Sequence, residues 1–294
     1  MNPAPVPGTP DPEPPKPQPL PLFFPDISHW QPGVTADIVQ SWKSAGATRI
    51  MIKAGGGNNG RYESDKHREQ VAAAHACGLP ADRYWFNGQD ASVSDQVNFL
   101  VDMLKATPLQ AGELVMWDAE PEESNGVVYT RAWTPAEVVT AAQRAVARGV
   151  PFSQQLIYLN SAQTTGSVDW SPVVDLGIRL VVADYWANDG TPGGMPLVGF
   201  WPREQIHAWQ FTSQGKLGTY SGDLDLNTGD LRRVWTVADL QAALNIANGA
   251  ALVVDNRKGA KTNAEIIVFQ KSQNLKPDGI AGPATLTKLA EVAG

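Results

Sequence analysis

Short apolar runs alternate with stretches of helical periodicity between residues 22 and 213, and this alternation restricts the fold more than any other feature of the 294-residue chain. The apolar runs predict strands, and the periodic stretches between them predict amphipathic helices. Strands joined by helices pair in parallel, because a parallel connection needs a long crossover. Over about 200 residues, such an alternation favours a closed barrel over an open sheet. We therefore expect an α/β protein with a closed, TIM-like barrel of mostly parallel strands, followed by a small three-helix C-terminal domain.

The predicted elements have recognisable ends in the sequence. In helix 134–149, Thr134 is a typical N-cap residue, Pro135 occupies the first helical position, and Glu137 completes a capping box. Helices become rare after Asp184, so the barrel should be irregular on its C-terminal side. The predicted strands are 22–28, 49–54, 83–87, 114–120, 155–160, 179–186 and 207–213, and the predicted helices are 35–45, 64–77, 92–105 and 134–149.

The strand predicted at 114–120 begins apolar and ends in acidic residues. Asp118 and Glu120 are alternate residues, so they project to the same side, with Cα atoms roughly 6.5 Å apart. Two carboxyls this close raise each other's proton affinity, which can keep one of them protonated as an acid. Glycosidic bond cleavage uses such a pair. An exposed acidic strand end would have the same sequence, so this stretch alone leaves both interpretations open.

The ends of other predicted strands favour a functional site. In a βα barrel the active site lies at the C-terminal ends of the strands. Acidic or aromatic side chains stand at that position in four further strands: Asp26, Tyr84 with Phe86, Tyr158, and Trp186. Unrelated surface acids would have no reason to fall at successive strand ends.

Composition excludes several classes of function. The net charge is −7, with no basic stripe, so nucleic acid and membrane surfaces are not expected partners. Cys77 is the only cysteine, which excludes an intrachain disulfide and a multi-cysteine metal site. The ten tryptophans are compatible with an aromatic-walled cleft, although most should belong to the core. We expect a monomer that needs no cofactor and no metal.

The N-terminal stretch 1–21 contains ten prolines and should be a disordered tail outside the fold. It lacks a basic start followed by an apolar run, so it does not resemble a signal peptide, and no later stretch is long and apolar enough to span a bilayer. We expect a protein that is made in the cytoplasm and acts elsewhere after its release.

Four short segments resemble the motifs of one family, the glycoside hydrolase family 25 lysozymes, which are muramidases of bacteria and many phage endolysins. Each motif is short, but the four follow the family's order across about 205 residues. The segments are 26–31 (DISHWQ), 84–86 (YWF), 118–120 (DAE), and 208–213 (AWQFTS) followed by 221–227 (SGDLDLN).

This resemblance implies a flattened, irregular TIM-like (β/α)5β3 barrel, in which five βα units are followed by extra strands, at residues 22–230. It also implies hydrolysis of the β-1,4 bond between N-acetylmuramic acid and N-acetylglucosamine in bacterial peptidoglycan. Carried over from the family, Glu120 is the general acid and Asp118 its partner, with Asp26 and Asp225 beside the same pocket. The implied substrate-binding residues are Tyr84, Phe86, Tyr158, Trp186 and Trp209.

The second strand departs from the family pattern. The family's lysine is usually followed by a Thr-Glu-Gly type segment, whereas Lys53 is followed here by Ala54 and the glycines 55–57. A side chain that could touch substrate is therefore absent from this loop.

The C-terminal residues 237–292 form a separate pattern. Helical periodicity appears at 237–245, 265–273 and 284–293, and the intervening stretches 255–262 and 278–285 share the frame D-x-x-x-G-x-x-T. The second copy, DGIAGPAT after Phe269 and Gln270, is similar to the turn of three-helix peptidoglycan-binding modules. Such a module would hold the enzyme on the wall and raise the local substrate concentration. A generic helical cap would show the same helices.

Three other functions remain open at this stage. A chitinase-like barrel also uses a strand-end D-x-E, but its pattern needs an Asp where this chain has Met116. A zinc amidase needs ligand spacing that the four histidines do not provide. A non-catalytic wall-binding protein is disfavoured because both Asp118 and Glu120 are retained.

Overall fold

The computed structural model describes residues 22–56, 61–124, 127–193, 196–230 and 234–293. The predicted disordered tail 1–21 lies outside the described residues. The strands are β1 (Phe23–Ile27), β2 (Ile50–Gly56), β3 (Ala81–Phe86), β4 (Val115–Asp118), β5 (Glu122–Ser124), β6 (Val127–Thr130), β7 (Gln155–Asn160), β8 (Arg179–Ala183), β9 (Leu197–Val198), β10 (Ile206–Gly215), β11 (Leu224–Thr228) and β12 (Trp235–Thr236). The helices are α1 (Ala36–Ser44), α2 (His67–Ala76), α3 (Val93–Leu104), α4 (Pro135–Ala147), α5 (Ser161–Thr165), α6 (Ser171–Val174), α7 (Val237–Asn248), α8 (Ala260–Ser272) and α9 (Pro283–Ala293).

Eight strands close into a barrel in the order β1, β2, β3, β4, β7, β8, β10 and β11. Neighbours from β1 round to β10 are parallel, and β11 runs antiparallel to both β10 and β1. An α-helix follows each of the first five barrel strands. The last three strands form without such helices between them in the described part of the chain. The predicted (β/α)5β3 arrangement is confirmed.

Local sequence signals start the helices where they were expected. The hydroxyls of Thr35 and Ser92 accept hydrogen bonds from the backbone of the first turns of α1 and α3. Thr134 and Glu137 form the full capping box of α4, with Pro135 at its first position. Helix α2 begins three residues later than predicted, because Ser64 is used in a turn that receives the backbone N–H of His67.

Seven of the ten tryptophans are almost fully buried. They lie in the core cluster between the barrel and its surrounding helices and loops, as expected for most of this set. Burying an aromatic side chain of this size stabilises a fold by at least about 2 kcal/mol. A separate cluster, which includes Met51, Met116 and Leu156, fills the barrel interior.

A hairpin that the sequence analysis missed follows β4. Its strands β5 and β6 pair antiparallel, and it brings Glu122 to the mouth of the barrel. The side chains of Val127, Val128 and Tyr129 are exposed, so the strand carries no inward and outward alternation that would predict it.

The C-terminal helices α7, α8 and α9 enclose their own small core, which includes Leu240, Phe269 and Leu286. Leu197 of β9, which lies in the preceding part of the chain, belongs to the same core, and β9 pairs with β12 just before α7. The predicted three-helix domain is present, with α8 starting five residues earlier than expected.

Candidate active site

A cavity of about 440 Å³ opens at the C-terminal ends of the barrel strands. Because side chains alternate along a strand, one of two successive residues points toward this cleft and the other points outward. Asp118 therefore faces the cleft while Trp117 packs behind it in the core. Seven of the nine predicted site residues line the cleft: Asp26, Tyr84, Phe86, Asp118, Glu120, Tyr158 and Asp225.

Asp118 and Glu120 lie together at the end of β4. The backbone N–H of Glu120 donates to Oδ1 of Asp118 at 3.4 Å, which holds the two residues in a tight turn with both side chains in the cleft. Burial, followed by the charge of Asp26, raises the pKa of Glu120 to about 7. Burial and the charge of Glu120 raise the pKa of Asp118 well above its ordinary value. Both carboxyls therefore keep their protons to a higher pH than an exposed acid does.

A second pair of acids faces them. Asp26 of β1 is directly opposite Asp225 of β11 in the antiparallel ladder. Asn227 donates its amide N–H to Oδ2 of Asp26 at 2.9 Å, and the amide of Gln210 donates to the same oxygen. Burial raises the pKa of Asp26 despite these hydrogen bonds. Burial and the charge of Asp26 raise the pKa of Asp225 to about 9, so Asp225 is neutral at pH 7 and donates a hydrogen bond to Asp26.

Gln210 connects this pair to the aromatic wall of the cleft. The hydroxyl of Tyr158 donates to Oε1 of Gln210 at 2.7 Å, and the hydroxyl of Tyr185 donates to the same atom. The two hydroxyls are 3.1 Å apart. The amide orientation of Gln210 is thereby fixed, so its N–H groups point at Asp26. Tyr185 was missed in the sequence analysis, and Gln210 lay inside the fourth motif without an assigned role.

Lys53 is the lysine that lines the cleft in the described structure. Its Nζ lies 4.8 Å from the ring centroid of Phe86, within cation–π range. Its charge lowers the pKa of both Asp118 and Glu120, although burial outweighs it in each case. Four acids therefore share one neighbouring ammonium group, and they cannot all be ionised.

The aromatic predictions divide into two groups. Tyr84, Phe86 and Tyr158 form part of the cleft wall, together with Trp30, whose side chain is 79% exposed. Trp209 is fully buried in the outer core and donates its indole N–H to the carbonyl of Asp184, because strand alternation turns it away from the interior. The structure does not bring Trp209 to the cleft. Trp186 lies beyond the cleft edge, beside the C-terminal domain.

Steric contacts explain the glycines that follow Lys53, where the sequence differs from the family pattern. A β-carbon on Gly55 would collide with the carbonyl oxygen of Tyr62, and one on Gly56 would collide with that of Phe86. Gly56 also has a positive φ of +103°. The backbone therefore occupies the space beside Tyr62 and Phe86 that a longer side chain would need. Gly57 lies outside the described residues.

The histidines are dispersed among unrelated partners. His67 contacts Glu63, His75 contacts Glu113, and His207 contacts Arg179, while His29 lines the cleft. They do not form the ligand set of a zinc amidase.

Comparison with known proteins gives two matches to families. Residues 25–219 match the sequence model of "Glycosyl hydrolases family 25", and residues 236–289 match that of "Putative peptidoglycan binding domain". A search of curated proteins found no match.

Three solved structures illustrate the similarity in fold. The bacterial lysozyme from Streptomyces coelicolor is 24% identical, with a TM-score of 0.54 over 70% of this chain and 90% of that one. A glycosyl hydrolase 25 of Streptococcus pneumoniae that takes part in host cell invasion is 13% identical, with a TM-score of 0.53 over 70% of this chain and 86% of that one. The modular autolysin LytC from Streptococcus pneumoniae is 13% identical, with a TM-score of 0.53 over 71% of this chain and 46% of that one.

Proposed function

The chain belongs to family 25 of the glycosyl hydrolases, whose model matches more than half of it, and on this basis we propose that it cleaves the β-1,4 bond between N-acetylmuramic acid and N-acetylglucosamine in peptidoglycan. It is thus an enzyme of the lysozyme type. The observation that carries the proposal is the pair Asp118 and Glu120 in one cleft, with the pKa of Glu120 raised to about 7. The match of residues 236–289 to a peptidoglycan-binding family supports the same substrate.

Glu120 serves as the general acid. A carboxyl whose pKa lies near 7 is protonated in a large fraction of molecules at neutral pH, and it gives up its proton readily to a leaving oxygen. Its position beyond the last residue of β4 places it over the cleft rather than inside the barrel. The family resemblance assigns the same role to this residue.

Asp118 assists from the same side. Direct attack on the sugar carbon needs a carboxylate on the face opposite the leaving group, whereas Asp118 and Glu120 are held together by a hydrogen bond at one strand end. Asp118 is poorly placed as a nucleophile. The 2-acetamido oxygen of the substrate closes on the anomeric carbon instead, and Asp118 orients and stabilises that group through its N–H.

Asp26 and Asp225 hold the opposite wall. Asp26 accepts hydrogen bonds from Gln210, Asn227 and the neutral Asp225, which fix its position and favour its charged form against the effect of burial. This charge raises the pKa of Glu120 and helps to keep the acid protonated. Tyr84, Phe86 and Tyr158 supply apolar surface for sugar rings beside these acids.

A phage endolysin would use both parts of this molecule, a barrel that cuts and a module that binds the wall. We place the cutting part at residues 22–230 and the binding part at 237–292. In the described segments, no helix has the length and apolar character needed to cross a bilayer. An endolysin of this kind is made in the cytoplasm and reaches the wall after a partner opens the membrane.

Product analysis of digested walls tests the function. Purified peptidoglycan treated with the protein should release new reducing ends and no new amino groups. New amino groups would instead show an amidase or peptidase, and the absence of both products would show a binding protein without catalysis.

Intact-mass spectrometry tests the mechanism. Enzyme quenched during turnover, or exposed to a fluorosugar, should keep its unmodified mass, because the proposed intermediate is formed within the substrate. A sugar adduct mapped to Asp118, Asp26 or Asp225 would contradict the substrate-assisted route.

A further inference from the structure

The C-terminal domain contains two copies of one turn. Gln241 of α7 donates its amide N–H to Asp255 (2.7 Å), to the carbonyl of Arg257 (3.1 Å) and to Thr262 (3.4 Å). Gln270 of α8 repeats this pattern at the next turn. Its amide donates to Asp278 (3.0 Å), to the carbonyl of Ile280 (3.0 Å) and to the hydroxyl of Thr285 (3.2 Å).

The residue after each aspartate completes the equivalence. Asn256 has a φ of +59° and Gly279 a φ of +72°, and the backbone N–H of each donates to the side-chain oxygen of its glutamine. The two turns are therefore structural repeats. They differ in several side chains and in what lies against each one.

The first turn, at residues 255–262, packs against the barrel domain. Asn256 donates its side-chain amide to the carbonyl of Trp201 at 2.9 Å and accepts the backbone N–H of Phe200 at 3.1 Å. Arg257 donates to Ser171 at 2.7 Å and lies over the ring of Phe200. This copy fixes the C-terminal domain to the barrel.

The second turn faces solvent and one aromatic ring. Ile280, the counterpart of Arg257, is 58% exposed. A β-carbon built on Gly282 would lie 3.3 Å from Cη2 of Trp186, so the indole packs against the turn backbone. Trp186 is nevertheless 44% exposed.

Trp186 directly follows Tyr185, which lines the catalytic cleft. We propose that Trp186 and the Ile280 turn together form a second glycan-binding surface, shared by the two domains, that receives the peptidoglycan strand as it leaves the cleft. The proposal rests on the proposed function. An indole face and an aliphatic side chain suit the C–H faces of pyranose rings. The domain would then align the strand as well as retain it.

Wall binding by full-length protein tests this surface. A Glu120→Gln background prevents lysis, and the ligand is purified wall material from which the stem peptides have been removed. Trp186→Ala and Ile280→Ser should each weaken binding at least about fivefold, while Trp186→Phe should retain most of it. Val268→Ser, which changes a 51% exposed residue on α8, is the matched control and should bind like the parent.

The outcomes separate this inference from the proposed function. If the parent binds and either Trp186→Ala or Ile280→Ser binds as tightly as the parent, the shared surface is wrong while the wall-binding module stands. If the parent binds only walls that retain their peptides, the ligand is not the glycan and the inference is also wrong. If the parent binds neither material, the wall-binding assignment of residues 237–292 fails.

Discussion

The two ends of the barrel both bury acidic side chains, but they treat the charge in opposite ways. At the C-terminal end, Asp26, Asp118, Glu120 and Asp225 share the cleft with Lys53. At the N-terminal end, Asp82 and Glu113 are fully buried and each is paired with an arginine.

The N-terminal pairs are closely matched. Arg49 donates two hydrogen bonds to Asp82, at 2.5 and 2.8 Å. Arg83 donates to Glu113 at 2.5 Å, and His75 contacts the same carboxyl at 2.6 Å. Burial alone would raise the pKa of Glu113, but backbone N–H groups, His75 and Arg83 outweigh it and leave the pKa below its ordinary value.

The difference shows what each end is built to do. The paired acids hold neighbouring strands in place: Glu113 stays ionised, and Asp82, whose pKa burial raises to about 6 despite Arg49, is still mostly ionised at pH 7. Acids without matched cations keep protons at neutral pH, which costs stability but provides an acid for chemistry. The following changes should separate the two roles.

The largest effect is expected from Glu120→Gln. The amide keeps the size of the side chain but cannot supply a proton, so turnover on soluble glycan fragments should fall about 10²- to 10⁴-fold. The melting temperature should not fall, since no buried ion pair is lost. Glu69→Gln on the surface of α2 is a suitable control and should leave both quantities unchanged. A Glu120→Gln enzyme with more than half of the parent turnover would contradict the assignment.

Glu113→Gln should have the opposite signature. It leaves the buried guanidinium of Arg83 without its carboxylate, which should lower the free energy of unfolding by roughly 3–5 kcal/mol. Turnover per folded molecule should stay the same, because the residue lies at the other end of the barrel from the cleft. Denaturant titration and active-site-normalised kinetics measure the two quantities. A stable but inactive variant would show that the ends are not separable.

Asp225→Asn should stabilise the protein in a pH-dependent way. The folded pKa of Asp225, about 9, lies above its unfolded value, so its contribution to stability is complete below about pH 4 and is lost as the pH rises toward 9. Asparagine cannot ionise and can still donate to Asp26. The variant should therefore gain at least about 1 kcal/mol over the parent at pH 8 and little at pH 4. Parallel stability curves for the two proteins across this range would contradict the pKa assignment.

Lys53→Met should give the smallest effect, a shift in the pH profile. The lysine lowers the pKa of Glu120, so its removal should raise that pKa and keep the acid protonated at higher pH. The fall in activity at alkaline pH should therefore occur at a higher pH than in the parent. A shift toward lower pH would show that Lys53 acts on a different group.

Much of this arrangement could be predicted from local sequence. The capping residues Thr35, Ser92 and Thr134 marked helix starts, and strand alternation placed Asp118 and Glu120 on one side. The motif that contains Asp225 pointed to the same pocket, although nothing local indicated that β11 would lie antiparallel beside β1.

Features that depend on long-range contacts were not predictable. Trp209 resembled a site residue because it stands in a motif, but the inward position in that strand belongs to Gln210. Neither the contact between Trp186 and Gly282 nor the carbonyls that exclude side chains at Gly55 and Gly56 has a local signature. The sequence of the hairpin β5–β6 did contain a local signature, because the pair Asn125-Gly126 is typical of tight turns. Its exposed Val127 and Val128 interrupt the alternation of apolar and polar residues that would otherwise predict a strand.

The pH dependence of kcat/KM for wild-type hydrolysis of soluble glycan fragments tests the central claim most directly. Because Glu120 must be protonated to act, and burial raises its pKa to about 7, kcat/KM should be highest below that pH and fall as the pH rises through about 7. A profile that stays flat between about pH 5 and 9, or that falls at the ordinary pKa of an exposed glutamate, would contradict the assignment of Glu120 as the acid.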